Sequence, residues 1–285
     1  LERYPEQQAL DPHYKQSASP LAMVKTIWIH RALIWQMTVR EVVGRYRGSF
    51  MGLAWSFFNP LLMLLIYTFV FTTVFHSRWA GTVATDKTSF AIVLFIGMIV
   101  YAIFADNINR APTLITSNTS YVKRVVFPLE ILPVVGMGAS VFHALVSLLV
   151  WLLAYILLMG APHLTALFLP LVILPFIVGT LGASWFLASI GVFMRDVNQT
   201  VGILTTALMF LAPVFYSVDN LPAKFKPLVL ANPATFIIEQ ARVVLVWGHM
   251  PDWAGLGLYS LASVLFAWAG FWWFQKTRKG FSDVL

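Results

Sequence analysis

Apolar residues in this chain gather into six long runs with almost no charge inside them: 54–75, 89–105, 131–159, 164–194, 200–218 and 253–274. The hydrocarbon core of a bilayer, about 30 Å thick, is crossed by about 20 apolar residues of helix, so each run predicts a span. The runs 131–159 and 164–194 are long enough to tilt or to extend past the headgroups. The pattern predicts an all-α membrane protein with six transmembrane helices and a transmembrane domain over 54–285.

Two stretches break the pattern. In 21–53, before the first run, Val24, Trp28, Ala32, Trp35, Val39 and Val42 fall within an arc of roughly 80° at helical spacing, flanked by Lys25, Gln36 and Arg40. This predicts an N-terminal amphipathic interface helix over 21–43, its tryptophans at headgroup level. It either anchors the chain or also docks a partner. Between the fifth and sixth runs, Pro213, Pro222, Pro227 and Pro233 punctuate the chain, and the apolar stretch 235–247 is too short to span. We read 219–247 as a re-entrant hairpin with Glu239 and Arg242, three apart, paired on one helix face. Backbone of that kind at membrane depth needs protein or a water-filled cavity around it. The polar segment 106–130 predicts a short helix parallel to the membrane, either a docking surface for a soluble partner or a connector. Residues 1–20 read as a polar cytoplasmic tail without an assigned role.

Composition agrees with the pattern: 59% of residues are hydrophobic and 11% charged, against about a quarter charged in soluble domains. Placement of charge adds topology. Six spans with a cytoplasmic N-terminus put 14 of the 19 Lys and Arg on the inner side, which fixes both ends in the cytoplasm. Those basic residues lie along membrane edges rather than on one face, so no nucleic-acid partner is expected. The sequence has no cysteine, hence no disulfide or thiolate metal site, and no metal site of any other kind is expected. It lacks a G-x-x-x-x-G-K-[ST] phosphate loop, an H-E-x-x-H and a G-x-S-x-G, so no catalytic residue and no cofactor of its own are expected. Asp106, Glu130 and Asp196 fall at span ends, where headgroup exposure accounts for them, which argues against ion-coupled carriage. Of six histidines only His143 lies deep in a span, either hydrogen-bonded across helices or part of a proton relay.

The most unusual segment runs Arg45-Tyr-Arg-Gly-Ser-Phe-Met-Gly-Leu-Ala-Trp-Ser-Phe-Phe-Asn-Pro60. Gly48 and Gly52 allow close backbone approach, and Pro60 frees a backbone carbonyl just inside the first span. Arg45 and Arg47 either clamp an anionic headgroup or a pyrophosphate bidentately or only enforce topology. Aromatics are abundant in the spans. Tyr67, Tyr101, Phe210, Phe215 and Tyr216 are the candidates to line a channel, where flat rings suit sugars and hydroxyls supply hydrogen bonds.

The arginine-rich block running into the first span, with the Pro-Val-Phe-Tyr … Leu-Pro … Asn-Pro hairpin near 213–233, resembles the permease subunit of bacterial ABC transporters that export polysaccharides, the type-2 ABC exporter family. The likeness covers the chain from about Leu21 onward. O-antigen exporters are the nearest in wording, with capsule and wall teichoic acid exporters sharing the layout. The resemblance implies a homodimer in the bacterial inner membrane, with each copy bound to a separate cytoplasmic ATPase subunit that holds ATP and Mg. It implies a lipid-linked glycan substrate among membrane lipids. It also implies a gate for the lipid-pyrophosphate end at Arg45, Arg47, Gly48, Ser49, Trp55 and Asn59. ATPase docking would fall on 24–43 and 107–123, that is on Trp28, Arg31, Trp35, Asn107, Arg110, Asn118 and Tyr121. A permease of the same fold that expels a small lipophilic compound is the alternative from another class.

Overall fold

The computed structural model describes residues 18–74, 88–122 and 127–285. Most of the polar leader, the end of the first run at Phe75, and the basic residues Arg78, Lys87, Lys123 and Arg124 lie outside the described residues. Among the described residues the secondary structure is helical throughout, with no strand.

Ser19 opens the first of the described helices by accepting a hydrogen bond from the Ala22 amide, and Pro20 follows at the first helical position. The expected single interface helix forms as two, α1 (Pro20–Ile29) and α2 (Arg31–Arg45), broken at His30. Each half packs on a different part of the bundle. Met23 of α1 joins a cluster around Trp185 and Phe271, whereas Thr38 and Val42 of α2 are buried against the helix 132–159. The apolar arc is thereby divided: Val42 turns inward, while Val24, Trp28, Trp35 and Val39 stay exposed.

The first run forms α3 (Trp55–Thr68), continued by a π-helical turn over Phe69–Val74. The second forms α4 (Thr88–Arg110), which carries the run five residues past its expected end and is the most buried of the long helices. A short α5 (Thr119–Val122) lies in the polar segment, and the third run forms α6 (Leu132–Met159), ended by Gly160 at φ 94°. The fourth gives α7 (Leu169–Phe193) after a 3-10 turn, the fifth α8 (Val197–Leu211) and the last α11 (Trp253–Thr277), followed by α12 (Phe281–Val284). Between α8 and α11 come α9 (Lys226–Leu230) and α10 (Pro233–Leu245).

Five of the described helices are long and apolar enough to cross a membrane. The fifth expected span, 200–218, is shorter than its run: α8 has 15 residues, about 22 Å of helix. Its helix ends because Pro213 forces the preceding Ala212 out of the helical region, to ψ 146°. Tyr216 then donates its hydroxyl to the Leu211 carbonyl at 3.0 Å, satisfying an acceptor at the helix end.

The expected hairpin is present as two helices bent sharply against each other. The segments 223–230 and 233–245 meet at 95°, and Asn232 at the bend donates to the Leu208 carbonyl while capping the Ala234 amide. The far end of α10 returns to the connector between α6 and α7, where Thr165 donates to the Val244 carbonyl at 2.7 Å. The far end of α10 and the connector between α6 and α7 therefore lie together, at the end opposite the arginine turn.

Packing elsewhere depends on small residues. A Cβ on Gly182 of α7 would stand 2.7 Å from Ala267 Cα of α11, and one on Gly270 would meet the Gly182 carbonyl. The two backbones are in contact, as transmembrane helices require when water no longer drives them together. The buried indoles of Trp151 and Trp185 donate to the Ile92 and Glu130 carbonyls at 3.0 and 2.9 Å. Glu130 corrects an expectation: it is only 4% exposed and is neutralised by Arg278 at 2.6 Å, not by headgroups.

Candidate functional site: a polar cleft beside the arginine turn

Arg45 ends α2, and the chain reverses into α3 through a turn that needs two glycines. Gly48 (φ 85°) and Gly52 (φ 51°) both sit in the left-handed region that a side chain would strain. Behind this turn α3, α4 and α6 enclose a cleft of about 300 Å³. Arg45, Tyr46 and Asp106 line its mouth, Ser56 and Asn59 come from α3, and Ser140, His143 and Ser147 from α6. Tyr67, Met98 and Phe95 line its deeper part, roughly 16 Å along α4 from the mouth by helical rise. Pro60 is also in the wall. It has no amide proton, so the Ser56 carbonyl loses its helical donor and is left as an acceptor beside the cleft.

A network of charges sits at the mouth. The Arg45 Nη2 atom is 3.2 and 3.4 Å from the two carboxylate oxygens of Asp106. Arg110, one turn further along α4, stands 3.7 Å from Asp106 and bonds Glu41 of α2. Ser140 of α6 donates its hydroxyl to Asp106. Three helices are thus linked through one carboxylate that was expected to be accounted for by headgroup exposure alone. About a third of each side chain in the Arg45–Asp106 pair remains exposed, so the pair itself adds under about 1 kcal/mol to stability.

His143 lies beside Tyr46 rather than in a chain of acids and bases. The Tyr46 hydroxyl is 3.4 Å from His143 Nδ1, and the rings meet edge to face with centroids 5.8 Å apart. Burial holds the Tyr46 phenol above its ordinary pKa; Arg45 offsets part of that and Asp106 adds to it. Tyr46 therefore serves the mouth as a neutral hydrogen-bonding group.

Of the residues singled out for the gate, Arg45 and Asn59 line the cleft, whereas Arg47, Gly48 and Ser49 on the turn and Trp55 at the start of α3 lie exposed outside it. Of the channel aromatics Tyr67 lines the cleft. Tyr101 does not: it is 3% exposed inside the bundle and gives its hydroxyl to the Thr205 carbonyl of α8. Phe210 and Phe215 stack with centroids 5.9 Å apart, and Phe215 stacks on Phe71 at 6.0 Å, an aromatic ladder near the hairpin. Of the docking residues Trp28 and Trp35 are exposed, and the Arg31 guanidinium covers the Trp28 ring at 4.9 Å. Asn107 is turned inward, donating to the Ile103 carbonyl at 2.8 Å, and Arg110 belongs to the network at the mouth. Asn118 bonds the Leu114 carbonyl, and Tyr121 stacks on Phe127 at 4.3 Å. Asp106, Ser140 and Tyr46 were missed as site residues. Only Asp106 had a local signal, its four-residue spacing from Arg110 on one helix; Ser140 and Tyr46 had none. Among the described residues no group of three or more His, Asp or Glu is placed to hold a metal ion.

Several membrane-length helices around a polar cleft, with a hairpin let into the other end, have the organisation of a membrane-embedded permease domain. The family model described as ABC-2 type transporter matches residues 32–246, and the chain belongs to that family. Among its relatives is the O-antigen export system permease protein RfbA of Myxococcus xanthus, 26% identical over 267 residues, which are 93% of this chain and all of that protein. Two Klebsiella pneumoniae proteins of the same name are each 23% identical over 251 residues, 87% of this chain and 93% of theirs.

Proposed function

We propose that this chain is the permease subunit of an ABC transporter that exports a lipid-linked polysaccharide, an O-antigen, across the bacterial inner membrane. The observation that carries the reading is similarity over nearly the whole chain to proteins of two organisms named as O-antigen export permeases. The cleft supports it: an arginine at the mouth suits the pyrophosphate of a lipid carrier, and tyrosine and amide groups behind it suit sugar hydroxyls.

In this reading two copies pair, and each binds a cytoplasmic ATPase that holds ATP and Mg. Both termini are cytoplasmic, so the cleft mouth faces the cytoplasm and the hairpin the outer side. The exposed Trp28, Arg31 and Trp35, with Asn118 and Tyr121, form the docking surface for the ATPase. Replacing Trp35, 70% exposed, by Ala is then expected to reduce the ATPase recovered with the purified permease while leaving the permease itself monodisperse. Undiminished recovery removes Trp35 from that surface.

Deleting the gene tests the function as a whole. The expected result is loss of a surface polymer, with its lipid-linked form accumulating inside and its sugars identifying the substrate. An unchanged surface rejects glycan export. It would favour efflux of a small lipophilic compound, for which a wholly apolar cavity of about 280 Å³ between α4, α6 and α7 is the supporting observation. For the arginine turn, Arg47→Ala is expected to lower export about tenfold, the loss of one charge-assisted contact, with the ATPase still bound. Full export at equal membrane abundance takes Arg47 out of the mechanism.

A further inference from the structure

Arginine at a membrane interface meets phospholipid phosphate far more often than it meets a scarce carrier lipid. A cleft that used a bare guanidinium to recognise its substrate would stand occupied by bulk headgroups. In this chain Arg45 is not bare. Its Nη2 is shared between both oxygens of Asp106 at 3.2 and 3.4 Å, longer than the 2.7–2.9 Å of a strong charge-assisted bond. Both groups are about one-third exposed and both line the cleft mouth, so the pair is loose and accessible.

Asp106 also loses little if Arg45 leaves it. Ser140 continues to donate to it and Arg110 continues to offset its charge, while Arg110 is itself held by Glu41. Arg45 is therefore exchangeable between an internal carboxylate and an external anion. Arg47, two residues on, is exposed and has no carboxylate within ion-pair distance among the described residues, so its charge is not offset by the protein.

Resting on the reading of the cleft as the entrance for a phosphoryl-bearing lipid, we infer that Asp106 is its specificity-determining residue: it holds Arg45 in a pair that a mono-anionic phosphodiester headgroup does not displace and a diphosphate does. A phosphodiester replaces one negative charge by one, with no net Coulombic gain to offset its desolvation and ordering. A diphosphate brings at least two charges and enough oxygens to engage Arg45 and Arg47 together, and attraction grows with the product of the charges. The carboxylate lowers affinity for every anion and so confines binding to the more highly charged group, a selection by opposition rather than by added contact.

The test measures binding by the permease with its ATPase in phosphatidylcholine nanodiscs, with and without phosphatidylglycerol as one lipid in three. Farnesyl diphosphate and inorganic pyrophosphate are the probes. The parent is expected to bind farnesyl diphosphate with an affinity that phosphatidylglycerol changes by less than about twofold. Asp106→Asn is expected to bind it up to about fivefold tighter in phosphatidylcholine alone, the range of an exposed ion pair, and to lose that gain when phosphatidylglycerol is present. Asp106→Glu keeps the parent's pattern. Asp106→Ser, charge-free and smaller, takes the place of the amide if that variant does not assemble. Inorganic pyrophosphate binding as tightly as farnesyl diphosphate would assign the site to free phosphate and overturn the inference for a lipid. Equal sensitivity of parent and charge-free variant to phosphatidylglycerol overturns the role of Asp106 and leaves the cleft reading standing. No saturable binding of either probe by the parent overturns both.

Discussion

Replacing Arg242 by Met is expected to leave little folded protein. The Arg242 side chain is completely buried, on α10 of the hairpin. Its Nη1 donates to the Pro213 carbonyl at 2.6 Å and to Glu239 at 2.7 Å, its Nη2 to the Val214 carbonyl at 3.1 Å, and its Nε to Val93 of α4 at 3.3 Å. The carbonyls of Pro213 and Val214 belong to the chain leaving α8, where Pro213 has stopped the helix and released them from any ladder. One guanidinium therefore ties α10, the end of α8 and the start of α4 into a unit. Room for it comes from Gly97, where a Cβ would stand 2.8 Å from Arg242 Nη2.

Each of the carbonyls of Pro213, Val214 and Val93 left without this donor costs about 1–3 kcal/mol, and Glu239 loses its partner as well. Against typical stabilities of about 5–15 kcal/mol, that is enough to unfold the protein. The measurement is the yield of monodisperse protein in detergent and its melting temperature. Glu239→Gln should be the milder change, since Arg242 keeps its three carbonyl acceptors and the Gln amide oxygen can still accept from it, and Gly97→Ala should fall between the two. A parent-like melt for Arg242→Met would sink this account of the hairpin.

Gly182→Val is expected to force α7 and α11 apart. Even the first carbon added there meets Ala267 Cα at 2.7 Å and the Phe266 carbonyl at 2.8 Å, both backbone atoms with no rotamer to give way. Overpacking in a well-filled core costs about 1–3 kcal/mol when side chains absorb it, and the upper end or more is expected where only backbone can. Gly202→Ala is the control. It is also a helical glycine, in α8, but a Cβ there would have nothing within 4 Å, so the change should be neutral or gain up to about 1 kcal/mol from helix propensity. Equal melting temperatures for the Gly182 and Gly202 variants would refute close backbone contact at this seam.

Much of the fold was legible along the chain. Runs of apolar residues marked α3, α4, α6, α7 and α11 to within a few residues, because a helix in lipid must satisfy its own backbone and so declares itself by length and hydropathy. The spacing of Glu239 and Arg242 foretold their pair, and the prolines foretold the hairpin. The fifth run misled because hydropathy continues through Val214 and Phe215 although Pro213 has already ended the helix at Leu211. The amphipathic arc misled in a different way. It was continuous in the sequence, but α1 and α2 serve two separate packing surfaces and break at His30.

The sequence alone determined that the chain is a helical membrane protein, where most of its spans lie, that a hairpin interrupts the series, and that an arginine turn precedes α3. Those are local properties: hydropathy, proline and glycine geometry, and spacing within one helix. Which aromatics are core and which line the cleft, and which carboxylate Arg45 meets, were decided by tertiary structure. Helices such as α7 and α11 are apolar on nearly every side, so no periodicity says which face turns inward. The pairs that build the site and the hairpin join residues far apart in sequence, 61 positions for Arg45 and Asp106 and 149 for Val93 and Arg242. Inside a membrane a buried charge must find such a partner to be tolerated, and only the packed bundle settles which partner is within reach.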